Sequence, residues 1–343
     1  MAQESDDGKW QNDARGTGNV SVVGAAVILY ALKVSIFKAL NNSNPDVFNT
    51  CNILCASQTV GLISSAIYLR KDLTISRAKQ IPRSVFLWLC VGSVLSTIVG
   101  PLFSNMGWEL SSVATVSVLQ KSQSVFFIIA EPILSRCKKL PSKWDAVNAL
   151  LVAIGIVGTF ISSEVFFGGT ANISVGEMYI IIASLCFTGS LLISTRYLTD
   201  APPGILTIFR LLVGTVSYHT IAAARGRDQY SKLWDSTLWL HMFYYGIFFV
   251  TVPQQCWLQA TNTCSKPVLS TAMNLQFIIQ IMFGIVVLQS FPSPQVLVGG
   301  SFILVAVISA IVKANYGETC EDKDRIEISE YRSLSENLND GEE

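Results

Sequence analysis

The chain has 343 residues, of which 50% are hydrophobic and only 14% are charged, and its formal net charge is zero. A soluble globular domain carries about 25% charged residues, so the composition excludes an ordinary soluble domain and favours a membrane protein. The balanced charge gives no sign of a nucleic-acid-binding surface.

Apolar runs of about 20 residues, the length that crosses a bilayer as a helix, recur along nearly the whole chain. A β-barrel would instead show strands of about ten alternating residues. We therefore predict an all-α, polytopic membrane protein with ten transmembrane helices: Val20–Leu40, Val47–Leu69, Ser84–Phe103, Ser111–Leu134, Trp144–Ser163, Gly176–Thr195, Ile205–Ala224, Thr237–Leu258, Val268–Gln289 and Gln295–Lys313.

The two ends of the chain are polar. Residues 1–19 are predicted to be a cytosolic segment, and the acidic residues 314–343 a disordered cytosolic tail. Basic residues crowd the second and fourth connections, which places both termini in the cytosol by the positive-inside rule. The sequon at Asn172 then lies on the opposite side, whereas the basic seventh connection, around Arg225, is an exception to the rule.

The two halves of the chain resemble one another. The segment Lys38 to Asn52 matches Arg196 to Arg210 with unchanged spacing, and Trp88-Leu89 matches Trp239-Leu240. This predicts two repeats, residues 20–163 and 176–313, joined by a linker at 164–175. Each repeat has an odd number of helices, so the second enters the membrane from the opposite face, an architecture that recurs in transporters.

Lys121 stands near the middle of the fourth predicted helix, roughly 15 Å from either end. A cation at that depth costs roughly 2.5–3.5 kcal/mol on insertion scales, and a lysine stem is too short to reach the interface. We therefore expect Lys121 to line a substrate cavity.

Three further cations belong to the predicted substrate-binding set. Lys33 and Arg210 lie within helices and Lys266 at a helix entrance. Cations without matching acids favour an anionic solute. The alternatives left open are partial snorkelling for Lys33, interfacial anchoring for Arg210 and a loop position for Lys266.

Polar uncharged residues lie near the depth of Lys121. Gln120 and Ser124 are its expected neighbours in the cavity, and the ninth helix carries Asn274, Gln276 and Gln280. Such groups hydrogen-bond a polar solute or hold helices together. The scattered cysteines and two histidines form no zinc set and no catalytic triad, so we expect no metal, no cofactor and no enzyme activity.

Four features of the chain resemble the drug/metabolite transporter superfamily with EamA-type repeats. They are the arrangement of five plus five helices, the Pro45-x-x-Phe48 entry to the second helix, Gly155 with Gly158, and Arg210. The resemblance covers residues 20–313 and implies alternating access. Lysines in the fourth helix and at the start of the ninth are typical of its nucleotide-sugar transporters. This similarity implies that Lys121 and Lys266 bind substrate phosphates.

The expected function is secondary transport, by exchange or facilitated flux, of a small anionic metabolite such as a nucleotide sugar. An EamA-type exporter of amino acids or drug-like solutes, and a non-transporting scaffold or receptor, are the alternatives. Expected partners are the anionic solute, the lipid bilayer and a sorting adaptor at Tyr331-Arg332-Ser333-Leu334. We expect Golgi or post-Golgi membranes, with the plasma membrane, a plastid and a homodimer left open.

Overall fold

The structure, a computed structural model, describes residues 7–70, 83–134, 143–160, 174–198, 201–226, 232–263, 266–309 and 312. Within these ranges every regular element is a helix. In chain order the helices are α1 (Asp7–Ser43), α2 (Thr50–Tyr68), α3 (Arg83–Ser93), π1 (Val94–Val99), α4 (Gly100–Leu110), α5 (Val113–Gln120), α6 (Ser122–Leu134), α7 (Lys143–Phe160), α8 (Val175–Tyr197), α9 (Pro203–Ala224), α10 (Ser236–Gly246), π2 (Ile247–Thr251), α11 (Val252–Thr263), α12 (Lys266–Leu288) and α13 (Pro294–Ser309).

Six helical stretches in the described residues are long and apolar enough to cross a membrane, and three shorter apolar helices accompany them. The prediction of an all-helical, multi-pass membrane protein is therefore confirmed. The count of ten spanning helices in inverted repeats stays a prediction, because length and composition qualify only six. One boundary differs clearly, since α1 begins at Asp7, before the predicted start at Val20.

Polar residues at the helix starts fix where several helices begin. Asn49, Ser112 and Ser174 accept hydrogen bonds from the backbone N–H groups of Asn52, Thr115 and Glu177. At Ser174 the Glu177 carboxylate also accepts from the Ser174 N–H, which completes a capping box. These caps supply partners for backbone donors that a helix start leaves unpaired.

The two π-helical segments lie at corresponding places in the two halves. The N–H of Gly100 donates to the carbonyl of Leu95, and the N–H of Val252 donates to the carbonyl of Ile247. In each half a proline, Pro101 or Pro253, follows directly. Proline has no N–H and interrupts the α-helical bond pattern, so the wider π turn falls immediately before the break.

The contacts between helices also correspond. Helix α1 packs against α11 and α12, whereas α8 packs against α4, α5 and α6. Helices α2 and α9 pack directly on one another, and each contacts the π segment of the other half. The main hydrophobic core lies where α1, α2, α4, α5, α9 and α10 meet.

A second core joins α5, α7, α12 and α13. Here Gly155 of α7 lies so close to α13 that an added Cβ would be 2.6 Å from the carbonyl oxygen of Gly299. Gly158 faces the same Gly299 backbone. The Gly-x-x-Gly spacing of the fifth predicted helix therefore permits close helix packing, as small residues do in membranes.

Candidate substrate-binding site

The fourth predicted helix is interrupted at Lys121. Helix α5 ends at Gln120 and α6 begins at Ser122. The Lys121 N–H donates to the carbonyl of Val118 at 3.1 Å, and the Ser124 N–H donates to the carbonyl of Lys121 at 3.0 Å. These are three-residue turns rather than four-residue helical bonds, so the helix tightens locally at Lys121. The backbone of Lys121 stays in the right-handed helical region, with φ −68° and ψ −15°, and Val113–Ala130 still forms one candidate membrane span.

Helices α5 and α12 face one another and run in opposite directions. A Cβ added at Gly284 of α12 would lie 2.9 Å from Val113 at the start of α5. Towards the other end of α5, Val118 and Phe277 both approach Gly300 of α13. Moving forward along α5 therefore corresponds to moving backward along α12.

This register places polar side chains opposite one another. On α5, Ser117 and Gln120 follow Val113 at steps of four and three residues. On α12, Gln280 and Gln276 precede Gly284 at steps of four residues, so each set lies on one helix face. Together with Lys121 they form a group that we call the polar seam, consisting of Ser117, Gln120, Lys121, Gln276 and Gln280.

Burial differs along the polar seam. Ser117 and Gln280 are each 1% exposed, whereas Gln120, Lys121 and Gln276 are half-buried. The Ser117 hydroxyl donates to the carbonyl of Val113 in its own helix. The Nε2 of Gln280 has no hydrogen-bond partner in the described part of the chain. The seam is thus polar but incompletely satisfied within the protein.

Lys33 lies on the inner face of α1. It shares a helical stripe with Ala26 and Phe37, both fully buried, and the Phe37 ring packs edge-on against Trp108 at a centroid distance of 5.3 Å. A side chain on this stripe points into the bundle, so the alternative of snorkelling along lipid is disfavoured for Lys33.

The depth of Lys33 follows from its neighbour Lys38, which donates a hydrogen bond to the carbonyl of Ser111. Along the helix axes Lys33 lies roughly 7 Å from Lys38, and Lys121 roughly 15 Å from Ser111. The two lysines therefore differ in depth by only about 8 Å, a span comparable with a small anionic metabolite.

Arg210 has a different setting. One of its terminal nitrogens donates to the Ser194 hydroxyl at 2.7 Å, which ties α9 to α8. Its Nε is buried and has no partner in the described residues. No described contact joins Arg210 to the polar seam, which favours the anchoring alternative.

The remaining predicted site residues are placed only in part. Gln120 lies in the polar seam, but Ser124 is exposed. Lys266 begins α12 and Asn274 lies within it, and the side chains of both are outside the described residues. Gln276 and Gln280 lie outside the predicted set of site residues, although their four-residue spacing is a signal that the sequence contains.

A polar cluster that was not predicted from the sequence lies at one end of the bundle. One carboxylate oxygen of Glu109 accepts from the N–H of Thr50 at 2.8 Å, from the Thr50 hydroxyl at 2.6 Å and from the Asn41 amide at 3.3 Å. A carboxylate at the first turn of α2 also interacts favourably with the helix dipole. The cluster joins the ends of α1, α2 and α4 outside the substrate site.

The described residues contain no group of three or more His, Cys, Asp and Glu side chains arranged to hold a metal ion. The five cysteines that the structure describes are free.

The all-helical bundle defines an integral, multi-pass membrane protein, and comparisons with known proteins show what it resembles. Residues 174–312, in the second half of the chain, match the EamA-like transporter family. A protein of Synechocystis sp. described as "Uncharacterized transporter sll1164" is 25% identical over 284 residues, which cover 80% of this chain and 78% of that protein.

The fold is also similar to a solved structure described only as "Crystal structure of protein". The TM-score is 0.57 at 12% identity, and the match covers 87% of this chain and 99% of the other. At that identity the likeness concerns the fold alone. The predicted EamA resemblance is confirmed for the second half, whereas the similarity to nucleotide-sugar transporters stays a prediction.

Proposed function

We propose that this protein is a secondary carrier of a small anionic metabolite, such as a nucleotide sugar or a related phosphate compound. The observation that carries the proposal is Lys121, a member of the polar seam that lies at a tightened turn inside a candidate membrane span.

Charge supports an anionic solute. Lys33 and Lys121 both lie within candidate membrane spans and at neighbouring depths. An opposite charge near a buried ammonium group stabilises it. A phosphate or carboxylate bound near both lysines would add such a charge during transport.

Alternating access between two inverted repeats, residues 20–163 and 176–313 with a linker at 164–175, is the proposed mechanism. The paired π segments and the corresponding helix contacts support a two-fold relation between the halves. In transporters of this kind the site lies between the repeats near the bilayer midplane.

The membrane topology and the cellular location of the protein are also proposed. Both termini are assigned to the cytosol and the carrier to Golgi or post-Golgi membranes. The linker, the sequon at Asn172, the tail and its Tyr331–Leu334 string lie wholly or mainly outside the described residues, so these assignments rest on sequence alone. An EamA-type exporter of amino acids or drug-like solutes is equally compatible with the family match.

The test is uptake by purified protein in liposomes, using UDP-glucose, glucose 1-phosphate, an amino acid and a cationic drug. Lys121→Met should reduce uptake of the transported anion roughly 10- to 100-fold, because a hydrogen bond to a charged group contributes about 1.5–3 kcal/mol. Lys121→Arg should retain part of the activity.

Lys143→Met is the matched control, since Lys143 is exposed at the start of α7 and its loss should leave uptake unchanged. Full anion uptake by the Lys121→Met protein would remove Lys121 from the mechanism. Preferred uptake of the amino acid or the cation would instead support the exporter alternative.

A further inference from the structure

Gln280 is the most deeply buried member of the polar seam with a free donor. It is 1% exposed, and its Nε2 has no hydrogen-bond partner in the described residues. Leaving a buried donor unsatisfied costs about 1–3 kcal/mol, and an apolar residue of similar shape would avoid that cost. Since Gln280 belongs to the polar seam, its unpaired donor is a candidate contact for a bound solute.

The surroundings of Gln280 do not satisfy this donor. Its neighbours along α12, Phe277 and Ile281, pack into the apolar core that joins α5, α7, α12 and α13. Opposite, the Ser117 hydroxyl already donates within its own helix. An incoming oxygen atom is therefore the available acceptor.

The positions of Gln280 and Lys121 along their helices give the difference in depth between them. Counting from the contact between Val113 and Gly284, Lys121 lies eight residues along α5 and Gln280 four residues along α12. With a rise of about 1.5 Å per residue, Lys121 and Gln280 differ in depth by roughly 6 Å. That separation is similar to the distance from a phosphate to a hydroxyl on the far side of a sugar ring.

We propose that Gln280 forms a neutral subsite that donates a hydrogen bond to a hydroxyl or carbonyl oxygen of the solute, while Lys121 holds its anionic group. This inference rests on the proposed function and narrows it. The solute is an anion whose neutral oxygen acceptor is displaced from its charge by about 6 Å along the helix axes, rather than a simple inorganic anion.

The proposed subsite would let the protein select among anionic solutes, because only some of them carry an acceptor for the unpaired Gln280 donor. When a solute lacks the acceptor, the buried Nε2 stays unsatisfied, and sites that hydrogen-bond a substrate group discriminate strongly against analogues without it. The Lys121 contact is common to all anions, so the preference among anions comes from Gln280.

The experiment compares the effects of UDP-glucose and inorganic phosphate on thermal unfolding of the purified full-length protein. Gln280→Met keeps the side-chain volume and removes the donor. It should weaken the apparent affinity for UDP-glucose at least tenfold and leave that for phosphate unchanged. Without solute, the variant should unfold at the same or a higher temperature, because the unpaired amide is gone.

Gln280→Glu provides a second variant of the same size that replaces the donor by an acceptor and should also lose UDP-glucose binding. Ser65→Ala is the matched control. It removes a different fully buried, unpartnered polar group, the Ser65 hydroxyl on α2, and should leave both affinities unchanged.

The outcomes separate the two proposals. If phosphate and UDP-glucose both stabilise the wild-type protein, and Gln280→Met changes neither affinity, the subsite is wrong and the anion carrier stands. Clear destabilisation of ligand-free Gln280→Met would show a structural role and would also overturn the subsite. If neither anion stabilises the wild-type protein, the proposed function and the subsite fail together.

Discussion

The π segments of the two halves share a backbone arrangement but have different surroundings. In both, the residue before a proline donates to a carbonyl five residues earlier. In the first half that residue is Gly100, and an added Cβ there would lie 2.8 Å from the Phe187 ring of α8. In the second half it is Val252, which already has a branched side chain.

The groups that hold the two segments also differ. The hydroxyl of Tyr218, a fully buried residue, donates to the carbonyl of Ile98 in π1 at 2.7 Å. In π2, Thr251 pairs instead with the hydroxyl of Ser64 at 2.5 Å and donates weakly to the carbonyl of Gly61 at 3.5 Å. Each anchor comes from the other half of the chain.

The comparison of π1 with π2 shows that the two halves share the π-helical backbone arrangement, whereas the side chains around it differ. Proline determines where the helical bonds are interrupted, and the apolar surroundings require the affected backbone groups to find partners. Which side chain supplies a partner is less constrained, because a tyrosine or a threonine hydroxyl can each do so.

Exchanging the residue before the proline should give the largest effect. Gly100→Val gives the first half the residue of the second, but its Cβ would meet the Leu95 carbonyl at 2.7 Å and the Phe187 ring. Overpacking of this kind typically costs 1–3 kcal/mol, so the thermal unfolding temperature in detergent should fall by several degrees.

Gly24→Ala is the control for this prediction, because nothing lies within 4 Å of an added Cβ at that helical position. It should be neutral or stabilising by up to about 1 kcal/mol, since alanine favours a helix over glycine. Equal unfolding temperatures for Gly100→Val and the wild-type protein would mean that the two surroundings are interchangeable.

Removing the anchor of π1 should have an intermediate effect. Tyr218→Phe keeps the ring and deletes the hydroxyl that bonds the Ile98 carbonyl. The expected loss is about 1 kcal/mol in unfolding free energy. Faster amide hydrogen exchange around residues 94–102 should accompany it, and unchanged exchange there would show that the tyrosine does not hold π1.

The sequence allowed the helical class and most helix positions to be predicted, because long apolar runs are local signals. A charge inside such a run is also a local signal, so Lys121 is a site candidate from sequence alone. The π turns were not predicted, since prolines at Pro101 and Pro253 indicate a disturbance without giving its form. The polar seam was only partly predicted. Spacing places Gln276 and Gln280 on one face, but their alignment with Ser117 depends on the contact between Gly284 and Val113.

The smallest effect is expected at the anchor of π2. Thr251→Val preserves the branched shape and removes a hydroxyl whose partners keep other hydrogen bonds, because Ser64 also donates to the carbonyl of Val60 at 2.7 Å. The loss should therefore be below about 1 kcal/mol, at the lower end for a hydrogen bond. Measuring the thermal unfolding temperatures of Thr251→Val and Tyr218→Phe under the same conditions shows which of the two variants loses more stability. A larger loss for Thr251→Val would reverse the comparison and make π2 the more tightly held segment.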